Sequence, residues 1–141
     1  MEKGLLNTFD KELLLKDLCA RLPYNVICQV EFKENGKYNS KVMLLSGIFT
    51  NEAYFTTKGG SIYSNEYKPY LFPLSSMTEE QKKEYGKVCD LDTEILSKHP
   101  IDVTPFPALY NSQDWLNKNH FDYRGLIPMG LAIDATNLNI Y

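Results

Sequence analysis

Histidine, cysteine and tryptophan are scarce in this chain: two His, three Cys and one Trp among 141 residues. Cys19, Cys28 and Cys89 are odd in number, widely spaced and contain no CxxC, which argues against a disulfide framework and for reduced thiols. His99 and His120 are too few for a His-rich metal centre, and neither has a Cys or acid at recognised ligand spacing. No apolar run approaches the roughly 20 residues of a membrane span. The opening stretch "MEKGLLNTFDKELLLKDL" is interrupted by acids and does not read as a signal peptide. A basic excess is also missing: 15 Lys and Arg face 18 Asp and Glu, a net charge of −3, so nothing draws the chain toward phosphate backbones and nucleic-acid binding is disfavoured. There is no G-x-S-x-G, no G-x-x-x-x-G-K-[ST] and no G-x-G-x-x-G. The expectation is a soluble, cytoplasmic, non-enzymatic protein without cofactor or metal.

What is present is ordinary globular material. Hydrophobic residues make up 43% and charged residues 23%, enough to fold as one domain over residues 1–141 that buries about two-thirds of its unfolded surface. Ten Tyr and seven Phe accompany the lone Trp. Tyrosine serves recognition surfaces, but it also fits a pleated, half-buried sheet, and the second use is the commoner.

The spacing predicts a first helix over Asp10–Leu22, capped by Asp10, with Phe9 and Leu14 as a hydrophobic staple. Leu14, Leu15, Leu18, Cys19 and Leu22 form its apolar stripe, and Pro23 ends it. Alternation over Val26–Lys33 reads as a strand, and Asn35-Gly36 as a two-residue hairpin turn pairing Cys28 with Met43 and Val26 with Leu45. Gly47 is placed as a bulge or bend. A second hairpin is expected around Gly59-Gly60, with Thr56 facing Tyr63, followed by "EYKPYLFPL" as an edge strand or extended segment because of Pro69 and Pro73. Thr78-x-x-Gln81 is a capping box opening a helix, with Glu79 and Lys83 as an i, i+4 pair. Residues 90–111 read as a proline-broken loop, and residues 1–8 as a frayed end. The fold class is α+β: a small antiparallel sheet or partly closed barrel of four to five strands, with an N-terminal helix and two helices in the C-terminal half.

One stretch is chemically rich: "DWLNKNHFDYRGLI", Asp114–Ile127. Ser112 can cap a short helix carrying Trp115 and Leu116 inward, Asn119 suits its left-handed end, and "DYRG" has the Asp and Gly of a type I turn. That leaves Trp115, His120, Tyr123 and Arg124 to gather on one side, where aromatic faces and an Arg fork could cradle a base or a phosphate. Tyr70 and Lys68 of "KPYLFPL" complete the candidate ligand-binding set. Packing and turn formation are the simpler employment of these residues.

"KPYLFPLSSMTEEQKKEY" and "DWLNKNHFDYRGLIPMGLAIDA", with the helix "LLLKDLCARLPY", together resemble small phage and prophage proteins of gut bacteria of the Bacteroides kind. The resemblance implies an accessory protein of a mobile element, acting in the cytoplasm of a bacterial cell. Two modes of action follow: sequestration of a small nucleotide-type immune signal, with a homo-oligomer expected, or a protein-interaction module that blocks or remodels a host or phage protein.

Overall fold

The structure is a computed structural model that describes residues 8–49, 52–98 and 111–141. The first helix, α1, covers Thr8–Arg21, two residues earlier than expected, so Asp10 lies in its first turn and Phe9 is exposed rather than stapled. Its buried face is Leu14, Asp17, Leu18 and Arg21; Leu15 and Cys19 point outward. The stripe is therefore rotated toward a charged pair, because Asp17 and Arg21 neutralise each other one helical turn apart. Arg21 Nε donates to Asp17 Oδ2 at 2.7 Å, and both residues are 0% exposed.

A short 3-10 turn over Leu22–Tyr24 and a left-handed Asn25 lead into β1 (Ile27–Glu34). Asn35 and Gly36 both have positive φ, 51° and 78°, as the type I′ turn demands, and β2 (Lys37–Ile48) returns antiparallel. Cys28 faces Met43 and Ile27 faces Leu44, as expected, and Leu45 N–H donates to Val26 O. The register shifts between Leu45 and Gly47, the expected bulge, where β3 (Ala53–Thr57) pairs with β2. Strand β4 (Gly60–Ser64) follows, with Thr56 opposite Ser61 and Tyr63 opposite Tyr54. The turn is thus Lys58-Gly59, one residue earlier than expected. Gly60 already belongs to the strand, at a φ of 141° that side-chain-bearing residues avoid.

Strand β5 (Glu66–Pro73) is not an edge. It lies beside β1 and also pairs in parallel with two short strands, β6 (Phe121–Asp122) and β7 (Ile133–Asp134). Its prolines are tolerated because Pro69 stands opposite Cys28, whose backbone groups turn to β2, so that rung asks no N–H of it, and Pro73 ends the strand. Among the described residues the sheet accordingly has seven strands, is mixed, and is not closed, in place of the four or five expected. The extra strands are two-residue pieces too short for any alternating pattern to announce them. The sheet nonetheless curls: a single residue, Asn65, joins β4 to β5, and Ser64 Oγ donates to Glu31 O of β1 at 2.6 Å.

One sheet face carries Cys28, Val30, Met43, Leu45, Phe55 and Leu71, all buried against Leu14 and Leu18 of α1 and against Leu126 and Leu131. Each such side chain contributes about 1.5–3 kcal/mol on burial. The capping box forms as expected: Thr78 N–H donates to Gln81 Oε1 and Gln81 N–H to Thr78 Oγ1, opening α2 at Glu79. Glu79 bonds Lys82, three residues on. Helix α2 continues to Lys98, well into the expected loop, while residues 99–110 of that loop and the first seven of the expected frayed end lie outside the described residues. Helix α3 (Asn111–Lys118) then docks on α2. Asp92 Oδ2 accepts the Ser112 N–H, Glu84 accepts the Trp115 indole N–H at 2.9 Å, and Tyr85 packs on the Trp115 ring. Among the described residues there are three α-helices, one N-terminal and two in the C-terminal half.

Asp17→Ala strands a fully buried guanidinium and should lower the unfolding free energy by about 3–5 kcal/mol. The double variant Asp17→Leu, Arg21→Met should recover most of that loss. Urea titration of both reads the outcome; a loss below about 1 kcal/mol for the single variant would remove the pair from any role in holding α1.

Candidate functional site

The segment after α3 is positioned by one strained residue. Asn119 N–H donates to Trp115 O and His120 N–H to Asn117 O, and it is His120, not Asn119, that adopts the left-handed conformation, with φ 63°. Asn119 instead spends its side-chain amide on Trp115 O at 2.8 Å. The turn at His120 aims its carbonyl at β5, where Phe72 N–H donates to it at 2.8 Å. Phe121 and Asp122 then run beside Phe72 and Pro73. The Asp122 carboxylate accepts the N–H groups of Leu126 and Ile127, each at 2.9 Å, and Gly125 takes a φ of 77°. Asp122 therefore bonds its own turn, as its sequence position suggests.

Tyr123 and Arg124 come together, and they are held from α1 and α3. Arg124 Nε donates to Asp17 Oδ1 at 3.2 Å and its Nη2 to the Tyr123 hydroxyl at 3.3 Å. That hydroxyl donates to Asn117 Oδ1 at 2.9 Å. The Tyr123 ring has the Arg21 and Arg124 guanidinium carbons at 5.2 and 5.0 Å from its centroid, a cation–π arrangement with both. Arg21 Nη2 donates to Phe121 O at 2.7 Å, completing the link from α1 to β6.

His120 lies in a second arrangement. Its ring stacks on Tyr141 at 3.6 Å between centroids and 10° between planes, with Phe72 at 5.9 Å from the same tyrosine. The Tyr141 hydroxyl accepts the Ile27 N–H at 2.9 Å and donates to Tyr70 O at 2.8 Å. A planar ring is thus clasped by an imidazole face, an aromatic flank, one backbone donor and one backbone acceptor.

Of the six residues singled out from the sequence, His120 and the backbone of Tyr70 line this ring slot, and Tyr123 and Arg124 form the adjoining network through Arg21. Trp115 is elsewhere: it is buried, stacked on Phe121 at 5.8 Å and 8°, and tied to α2. Lys68 is exposed, opposite Gln29 in the β1–β5 ladder. Sequence reading missed Asp17, Arg21, Phe72, Ile27 and Tyr141. Only Asp17 and Arg21 carried a signal, an acid–base pair at i, i+4 beside the leucines.

At the far end of β1 from Ile27 lie two adjoining concavities of about 480 and 380 Å³, which share Phe32, Lys33 and Ile62. Lys33 and Lys41 rest their ammonium groups over Tyr38 and Phe32. Both concavities are open and mixed in charge.

Burial, assisted by the Arg21 cation, lowers the His120 pKa from 6.5 to about 4, so its ring is neutral at pH 7 and stacks without the cost of a charge. Burial pushes the Tyr141 hydroxyl up, against the opposing pull of the Ile27 N–H, so it stays protonated and able to donate. The Cys28 thiol is likewise raised by burial, with the Asp17 charge adding to it, and is a poor nucleophile. Among the described residues no His, Cys, Asp and Glu group has metal-site geometry, and no helix is long and apolar enough to cross a membrane.

Set against family models, curated proteins and solved structures, the chain matches none.

The His120 shift has a direction that can be measured. The unfolded chain takes up the imidazole proton near pH 6.5, whereas the folded one resists until about pH 4. This contribution to stability is complete above pH 6.5 and is lost as pH falls toward 4. Chemical denaturation from pH 7.5 to 4 should show a steeper decline for the wild type than for His120→Asn, which tolerates the same left-handed backbone. Parallel curves would place the imidazole in solvent.

Proposed function

We propose that the chain is a non-enzymatic binding protein that takes up and sequesters a small nucleotide-type ligand, with the ligand's ring in the His120 slot. The supporting observation is the slot's chemistry. It combines face-on stacking at 3.6 Å with an N–H donor and a C=O acceptor that converge at its inner end. A nucleobase edge offers the same adjacent acceptor and donor that Ile27 and Tyr70 require. Arg124, whose side chain is 18% exposed and paired with Asp17, is the cation this reading assigns to an anionic ligand. The setting proposed is the one that the resemblance implies, a phage or prophage accessory protein acting in the cytoplasm of its bacterial host, as a homo-oligomer.

A second reading, a protein-interaction module directed at a host or phage protein, has its own support. Phe49, Tyr54 and Tyr63 form a packed aromatic group, with ring centroids at 5.7 and 4.9 Å, beside the edge strand β4. Phe49 and Tyr63 are each 54% exposed, and such an edge suits strand addition by a partner.

Native mass spectrometry of protein purified from a bacterial cytoplasm, followed by release of any retained small molecule, separates the two. The sequestration reading expects a nucleotide mass on the wild type and its loss from His120→Ala, with Phe49→Ala, Tyr63→Ala unaffected. Retention of a nucleotide by His120→Ala as well would remove the slot from the reading. A folded apo protein that shows no shift in melting temperature against cyclic dinucleotides and ADP-ribose species would favour the interaction module.

A further inference from the structure

The β1–β5 ladder ends at Cys28 opposite Pro69, and the next rung in register would be Ile27 opposite Tyr70. That rung is not made by the two strands. The Tyr141 hydroxyl stands between them instead, accepting from Ile27 and donating to Tyr70. A single hydroxyl oxygen bridges the two strands at this point, and the two backbone groups left over face the same guest.

The guest arrives on a segment built to fold back. Ala135 N–H donates to Leu71 O at 2.8 Å, anchoring the chain beside β5. Asp134 Oδ1 accepts from the Thr136 N–H and hydroxyl, and Asn137 and Asn139 take left-handed φ values of 65° and 52°. Asparagine tolerates that conformation better than other side-chain-bearing residues, so two turns fit within a few residues. Beyond the anchor the segment is held by the Leu138 N–H on Ala135 O and by the contacts of Tyr141 itself. Leu138 is exposed, and Tyr141 itself is 43% exposed, so its ring can leave without opening the core around Leu18, Val30 and Leu71.

We infer that Tyr141 is a resident, displaceable occupant of a nucleobase slot, covering in cis the His120 face and the Ile27 N–H and Tyr70 C=O pair that an incoming base would use. This inference rests on the nucleotide reading above and adds a gate to it. A base competes with the phenol for the same stacking face and the same two backbone bonds. Ligand uptake and release of the 137–141 segment are then one event. If the slot is free for about a tenth of the time in the wild type, its apparent affinity is about tenfold weaker than that of a chain whose ring is gone.

Four nucleoside monophosphates are the probes, titrated by calorimetry and by thermal shift against wild type, Tyr141→Ala and Tyr141→Phe, with p-cresol as competitor. One monophosphate should bind Tyr141→Ala about tenfold or more tighter than the wild type, with Tyr141→Phe between them because it keeps the stack and loses the hydroxyl. Added p-cresol should displace that nucleotide from Tyr141→Ala. If Tyr141→Ala is not folded by circular dichroism, the Tyr141→Phe comparison decides alone. Equal binding to wild type and variants, undisturbed by p-cresol, would overturn the gate and the slot as the seat of the base, leaving only a nucleotide-binding protein with its site elsewhere. Restored stability of Tyr141→Ala by p-cresol, with no monophosphate bound by any form, would overturn both and leave Tyr141 as structural filling.

Discussion

The fully buried ion pair between Asp17 and Arg21 organises the rest of the molecule. It lies on the face of α1 that meets the sheet, where a charge without a partner would cost several kcal/mol. Arg21 therefore spends its Nε and Nη2 on Asp17 and reaches across with Nη2 to Phe121 O, while its buried Nη1 finds no partner. Asp17 uses its second oxygen to hold Arg124. One helical turn of α1 consequently fixes the strand β6, the Tyr123 ring between two guanidinium groups, and the charge beside which His120 sits neutral.

The geometry of the slot follows from that anchoring. With Phe121 tied to Arg21, the chain must reverse within a single residue to leave α3 and pair with Phe72, and His120 accepts the left-handed conformation to do so. Its ring then lies face to face with the Tyr141 ring whose hydroxyl bridges Ile27 and Tyr70. That hydroxyl takes the place of the direct rung between Ile27 and Tyr70, one position beyond the last β1–β5 pair. A left-handed backbone and a buried ion pair thus meet at one opening, and an aromatic ring fills it.

Much of this architecture was legible in the sequence where the signals are local. Asn35-Gly36 set the register of the first hairpin, Gly47 marked the bulge, and Thr78 with Gln81 opened α2. The long-range features were not legible. The strands β6 and β7 are two residues each and exist only because β5 lies beside them. Pro69 and Pro73 suggested an edge, yet they occupy the ends of an interior strand's ladders. In the first helix the leucines drew attention to a stripe that includes Leu15 and Cys19, while burial followed the charges of Asp17 and Arg21. His120 and Tyr70 stand out for their side chains, yet Tyr70 meets Tyr141 through its backbone C=O. Their partner Tyr141 does not stand out, since nothing local joins it to either.

The most direct test of the central claim is an amide chemical-shift titration of the isotopically labelled protein with the nucleotide recovered from cells or, failing one, with adenosine monophosphate. A base seated in the slot should move the Ile27 amide and the His120 ring resonances saturably and together, with the Tyr141 ring signals sharpening as that side chain is released. Saturable shifts confined to Phe32, Lys41 and Ile62, or to Phe49 and Tyr63, with Ile27 unmoved, would contradict it.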